Sequence, residues 1–391
     1  MMFNKTNWRI IPLLTCLLFL ISGCASTEKH QVHQNKSVKL NTVLFASTAN
    51  VISPSDLYAL TEQQQQKFIT FYQTKILKGY LPHEIIERFL ASDLSNFTYY
   101  GKTYTASETM VKNSGNCMSL AILTTAFSRL VDVEIDYRQM TSLPVYEKHG
   151  NVILSSSHVQ SVLYDPTFVP DDNFFYIQKP ALVIDYFPQE DNFRSNNING
   201  NQFLSMYYIN KAAEFYIEHD FDHSFAYARY AYLLDIDSTS AMNLLALLHK
   251  KRGDEKTAEQ LYLAAMTSKE KNINILENYV NLLKGQGRIA RAREIKERID
   301  NMYDPNPYHW LVKAQLARVN QEYSDAERYY RKVIKLAPYV KQAYVELYEV
   351  YLLQDKKQQA MTTLKKSLYW VHEPKQKRKF KKKLYQLSQA I

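Results

Sequence analysis

Cysteine is nearly missing from this chain: there are three in 391 residues, two of them at the N-terminus as Cys16 and Cys24. With those two set aside, Cys117 has no partner and a disulfide framework is excluded. Glycine is also scarce, at nine, and no Gly-rich loop able to cradle a phosphate is present. The ten histidines lack metal-ligand spacing, nothing marks a calcium site, and neither a metal nor a cofactor is expected. After Ile21 no apolar run approaches the length that spans a bilayer. What is there has the composition of a folded protein, 46% hydrophobic and 13% aromatic, with a length that suits two domains of ordinary size.

The apolar stretch from Ile10 to Ile21 follows Lys5 and Arg9. It is too short for a stable transmembrane helix and reads as the hydrophobic region of a secretory signal, which would remove Cys16. Its end, Leu20-Ile21-Ser22-Gly23-Cys24, resembles the lipobox of bacterial lipoproteins, where cleavage leaves the cysteine as a lipid-modified N-terminus. The expected layout is a signal peptide over residues 1–23, lipidation at Cys24, and a flexible tether over residues 24–50, rich in Ser, Thr, Asn, Lys and His. Ala25, rather than Asp, resembles the preference for outer-membrane sorting. The expected location is therefore the bacterial cell envelope, lipid-anchored in the outer membrane and facing the periplasm.

The formal charge of +9 draws heavily on Lys375, Lys377, Arg378, Lys379, Lys381, Lys382 and Lys383. In a periplasmic protein this run reads as the solvated end of a terminal helix, with contact to anionic lipid or an envelope polymer as the alternative. No nucleic-acid partner is expected.

Residues 51–198 form the first folded segment. Ser53-Pro54-Ser55-Asp56, Thr61-Glu62 and Pro82 carry helix-start chemistry. From Met118 onward Leu120, Ala121, Leu123, Ala126, Phe127 and Leu130 make one apolar helical face, which places Cys117 at a helix N-terminus. Short strand-like runs follow at Val133 to Tyr137, Val152 to Ser155, His158 to Tyr164 and Ala181 to Tyr186. Helices followed by antiparallel strands read as an α+β domain.

Residues 199–391 have a different character, because an internal period of 34 appears. Ser224, Ala258, Ala292, Ala326 and Ala360 keep that step, as do Ala212, Ala246, Val280, Ala314 and Tyr348. A turn column follows it too: His219, Gly253, Gly287, Gln321 and Asp355. The pattern is that of tetratricopeptide repeats, an all-α solenoid in which pairs of antiparallel helices pack through small residues. Tyr262 and Tyr330 take the aromatic position of the second helix, and Pro338 the proline that ends a repeat. About five repeats fit, with the basic amphipathic helix as a cap.

A cysteine nucleophile needs a base or imidazolium partner, and that partner needs a third group to orient it. Cys117, then His158 opening a strand, then Asp185 in the next strand supply these in a sensible order. Ser114-Gly115-Asn116-Cys117-Met118-Ser119-Leu120-Ala121 and the upstream Tyr104-Thr105-Ala106 resemble the bacterial transglutaminase-like branch of papain-like folds. Envelope proteins joining such a domain to tetratricopeptide repeats are similar in layout. The resemblance implies that Cys117 is the nucleophile, His158 its base and Asp185 the orienting acid.

The chain departs from many members in having Val159-Gln160-Ser161 after the histidine, without tryptophan, so substrate pockets do not transfer. Asp165, before Pro166, is a rival third member, and His149 a rival base. The implied activity is hydrolysis of an amide or peptide bond, or acyl transfer, with the repeats recruiting a protein partner or substrate. The alternative is a catalytically inactive periplasmic adaptor that works through its repeats. By register Asn243, Lys250, Glu277, Asn281, Lys284, Gln315 and Arg318 should line the groove of the array and meet an envelope protein or peptide.

Overall fold

The computed structural model describes residues 37–391 except 47–48, 100–101, 141–144, 150–151, 157, 172–175, 177–178, 187–194, 269–271, 301–305, 372–373 and 389–391. Cys24 and the signal segment therefore lie outside the described residues. Three helices come first: α1 (Pro54–Tyr58), α2 (Glu62–Ile76) and α3 (Pro82–Asp93). Each start is encoded locally. The Ser53 side chain accepts from the Asp56 N–H ahead of Pro54, Thr61 and Gln64 form a reciprocal capping box, and Pro82 sits in the first turn of α3.

After the two-residue strand β1 (Thr98–Tyr99) come α4 (Ala106–Lys112) and β2 (Ser114–Gly115), which pairs with β1 in parallel. The following helix, α5 (Cys117–Leu130), is buried on almost every side through Met118, Ala121, Ile122, Leu123, Ala126 and Phe127. Phe68 of α2 stacks on Phe127 at 4.4 Å, and Phe89 of α3 meets it edge-on at 5.1 Å.

Strands β3 (Ile135–Met140), β6 (Val159–Tyr164), β7 (Ala181–Asp185) and β8 (Ser195–Ile198) form one antiparallel sheet in the order β7-β6-β3-β8. A separate hairpin joins β4 (Val145–His149) to β5 (Val152–Ser156). The sequence pattern did not mark β1, β2, β4 or β8. The two-residue strands are too short for any periodicity, and Ser195-Asn196-Asn197-Ile198 carries residues that are poor in strands and joins the sheet by pairing with β3.

From Gly200 the chain is helical hairpins: α6 (Gly200–Ile217) with α7 (Phe221–Leu234), α8 (Thr239–Lys251) with α9 (Glu255–Met266), and α10 (Ile273–Gly285) with α11 (Ile289–Asp300). Next are α12 (Pro307–Val319) with α13 (Tyr323–Leu336), α14 (Lys341–Leu353) with α15 (Lys357–Ser367), and the basic helix α16 (Pro374–Ser388). The hairpins explain the 34-residue period. His219, Gly253, Gly287, Gln321 and Asp355 all have positive φ, between 57° and 82°, at the turn joining the helices of each pair. Ser224, Ala258, Ala292, Ala326 and Ala360 are all buried to within 1%, where the paired helices approach closely, and the Ser224 hydroxyl donates across to the Ala212 carbonyl at 2.8 Å. In the small-residue column of the first helices, the bulkier Tyr348 stays partly buried and packs on the C-terminal core, under the Lys383 ammonium.

The two parts share a core. One buried cluster runs without a break from Phe45 through α5 and β6 to Ile299, and Tyr137 of β3 stacks on Phe203 of α6 with ring centroids 3.8 Å apart. A second cluster, from Leu311 to Leu387, fills the C-terminal repeats.

The last part of the expected tether differs from a free linker. Phe45 is buried, stacked on Phe225 at 3.8 Å, while the Val38 and Ala46 amides donate to Tyr232 and Asp222. Val38, Leu40 and Leu44 pack on the same buried cluster beside Phe45. Among the described residues no helix is long and apolar enough to cross a membrane.

Phe203→Ala removes a fully buried ring at this junction. It should lower unfolding stability by about 3–5 kcal/mol in urea titrations followed by circular dichroism; a loss under about 1 kcal/mol would contradict a shared core.

Candidate functional site

The site begins with the cap of α5. Asn116 is the N-cap residue: its side-chain oxygen accepts from the Ser119 amide at 3.0 Å, and its own amide donates to the Ser119 hydroxyl at 3.4 Å. The Asn116 side-chain amide donates to the Thr103 hydroxyl at 2.8 Å, and the Ser119 hydroxyl also accepts from the Tyr104 amide at 2.9 Å. Gly115 has φ +150°, and a Cβ there would lie 2.7 Å from the Ser119 Cβ. Gly115, Asn116 and Ser119 of Gly-Asn-Cys-Met-Ser thus each have a local reason, and Cys117 opens the helix, where the free N–H groups of the first turn favour a thiolate.

His158 immediately precedes β6, and its carbonyl accepts from the Met140 amide at 2.8 Å. Its Nε2 lies 2.6 Å from Asp185 Oδ1, and Asp185 Oδ2 accepts from the Gln160 side-chain amide at 2.7 Å. The β6–β7 register sets Asp185 directly opposite Gln160. With Nε2 committed to the carboxylate, Nδ1 is the nitrogen left to face the thiol. Cys117 and His158 are 5% and 2% exposed.

The charges follow from this packing. Burial alone would push the Cys117 thiol up. The hydrogen bond and charge of His158, with help from the Val159 amide and the Tyr99 hydroxyl, overcome burial and hold the thiol below its ordinary value. Burial likewise favours a neutral His158, but the Asp185 carboxylate and then the Cys117 sulfur raise it to about 9. The arrangement favours a thiolate–imidazolium pair in a poorly solvated setting.

The rivals are placed elsewhere. Asp165 accepts from the Thr167 amide and hydroxyl at 2.8 and 2.7 Å, in a turn, and its nearest histidine is His83 at 3.9 Å. His149 closes β4, and its side chain lies outside the described residues. Sequence reasoning missed Gln160, although its position two after His158 puts it on the same strand face. It also missed Tyr186, whose hydroxyl donates to Thr124 at 2.7 Å and shares a hydrogen bond with the Ser161 hydroxyl at 2.8 Å, and so ties the end of β7 to α5 and β6. Tyr99 gave no sequence signal. Among the described residues no group of three or more His, Cys, Asp or Glu is placed to hold a metal ion.

Along the repeats, the expected groove residues divide. Asn243 accepts from Asn278 at 3.0 Å, Glu277 lies 3.4 Å from His309, Gln315 donates to Glu346 at 3.0 Å, and Arg318 meets Glu349 at 2.9 Å. Each pair joins the first helices of successive repeats. Lys250 is half-buried, and Asn281 and Lys284 are exposed.

No protein-family model and no curated protein matches the chain. Solved structures resemble it over about half its length. A Pseudomonas aeruginosa pilF structure is 16% identical, with 49% of this chain and 87% of that chain covered at a TM-score of 0.30. YrrB, a TPR protein with an unusual peptide-binding site, is 15% identical, with 46% and 92% covered at 0.24. Yeast Tom70 is 18% identical, with 47% and 40% covered at 0.33. None of these likenesses bears on what this chain does.

Alkylation of the full-length protein in mild detergent, read by mass spectrometry at the Cys117 peptide, tests the pair. Because the folded thiol is held low, labelling by iodoacetamide should persist as pH falls below the free-thiol value of about 8.5. His158→Ala should lose about tenfold or more of that rate at pH near 6.5, and Asp185→Asn should lose an intermediate amount. Equal rates for all three would exclude an activated pair.

Proposed function

We propose that this chain is a thiol-dependent acyl enzyme of transglutaminase-like type, carried on the cell envelope through Cys24, that hydrolyses or transfers an amide-linked acyl group. The supporting observation is the 2.6 Å contact between His158, just ahead of β6, and Asp185 of β7, with His158 hydrogen-bonded to the cysteine that opens α5. The Cys117 thiolate attacks a peptide or isopeptide carbonyl, a C–S bond forms, and the carbonyl electron pair moves to oxygen. The Cys117 amide, at the helix start, is a natural donor to that oxyanion. Collapse breaks the C–N bond as the His158 Nδ1 proton passes to the leaving amine. The neutral imidazole then takes a proton from water or from an acceptor amine, which attacks the thioester and releases the acid or the new amide together with the Cys117 sulfur.

A second reading has its own support. The repeats present a partly polar face, and Cys117 is only 5% exposed, which suits an adaptor that holds an envelope protein or peptide and performs no chemistry. The two readings combine if the repeats deliver the acyl substrate.

p-Nitrophenyl acetate, a generic acyl donor, separates them. Acetylation of Cys117 with continued release of nitrophenol, reduced about a hundredfold or more in Cys117→Ala and His158→Ala, supports the enzyme. The rate should fall below the lowered thiol value as the thiolate is lost, with no matching fall above pH about 9, because nitrophenolate leaves without the imidazolium proton. Equal release by Cys117→Ala would leave the adaptor reading. For that reading, charge reversal at Lys250, Lys284 and Arg318 should reduce partner recovery from envelope extracts; unchanged recovery counts against the groove.

A further inference from the structure

We propose that the Tyr99 hydroxyl is a second side-chain donor, beside His158, to the reacting sulfur of Cys117, and that the C-terminal repeats hold it there, so that their state sets the reactivity of the thiol. This rests on Cys117 being the nucleophile. Tyr99 belongs to a strand only two residues long, and its backbone pairs with Gly115, two residues before Cys117. The ladder brings the tyrosine beside the head of α5, and its hydroxyl is one of the groups that draw the thiol towards its charged form.

What holds the ring is unusual. Among the described residues Tyr99 is the one apolar side chain packed against both buried clusters, the one that includes Cys117 and the one formed by Leu311 to Leu387. Phe97 meets its ring edge-on at 6.3 Å. A two-residue strand does little to fix a large side chain, so its orientation depends on the surfaces it touches. One of those surfaces is the far end of the repeat array.

The chemistry of a hydroxyl at this position is direct. Donating to a thiolate stabilises it, and when the sulfur attacks, the negative charge moves to a carbonyl oxygen that lies about 3 Å away, within reach of the same donor. Displacing the C-terminal repeats would withdraw the hydroxyl from both. By linkage, a group attached to Cys117 must in turn alter the stability of those repeats.

The test uses full-length protein in mild detergent, with iodoacetamide labelling of Cys117 across pH and hydrogen exchange over residues 307–353. Tyr99→Phe keeps the ring and removes the donor: labelling at pH near 6.5 should slow about five- to tenfold while exchange stays at the parental level. Tyr99→Ala should slow labelling similarly and also speed exchange in the C-terminal repeats. Parental labelling in Tyr99→Phe at every pH overturns the donor role, and parental exchange in Tyr99→Ala overturns the link to the repeats. His158→Ala is run alongside. If it is slow while Tyr99→Phe is parental, only the Tyr99 proposal falls; if His158→Ala is also parental, the nucleophile reading falls and takes this one with it.

Discussion

A helix buried on almost every side still has to satisfy the N–H groups of its first turn, and the cysteine part of this molecule is arranged around that need. The Asn116–Ser119 box meets it for the Ser119 amide of α5, with a cap contribution of about 1 kcal/mol. The box works only because Gly115 lets the backbone pass against Ser119. The same cap reaches Thr103, whose amide donates to Glu214 of α6 at 2.5 Å, while Lys102 pairs with Glu218 of that helix. The head of the cysteine helix is therefore held by the first repeat as well as by its own domain. Moving α6 would strain the cap that sets the position of Cys117.

The repeats supply stiffness in a different way. Five turns at positive φ and a column of small buried residues let each pair of helices close tightly, and each pair then buries its remaining apolar face on the next. His219, Gln321 and Asp355 take this conformation without being glycine, a strain that closely packed neighbours can hold. The first repeat is continuous with the sheet through Tyr137 and Phe203, and the segment around Phe45 covers it from the other end of the chain. An array that usually adds units independently is anchored here at its first unit.

The repeats were legible in the sequence because their constraint recurs: one turn geometry and one close contact, imposed five times, leave a column even where single residues such as Tyr348 deviate. Cys117, His158 and Asp185 were legible through order and a short motif. Their supporting groups were not, since Gln160, Tyr186 and Tyr99 act by meeting residues 25, 62 and 18 positions away, and pairing across such gaps leaves no period. Strands β1 and β2 escaped for a related reason: two residues cannot show alternation, and their pairing follows from the helices that flank them. The docked end of the tether escaped because composition averages over a segment, whereas a few apolar residues around Phe45 carry its packing.

The groove carries one more constraint. Asn243, Glu277, Gln315 and Arg318 face partners on the neighbouring repeat, so a ligand that engages them must first replace bonds already made. An exchange of this kind returns little net free energy for neutral groups, and partly exposed ion pairs return little as well. A partner bound through this face would therefore draw its affinity from apolar contact or from the cations outside the ladder, Lys250 and Lys284, and would use the ladder residues to set its register. The same pairs tie successive first helices together, so a ligand that opens them loosens the array along its length.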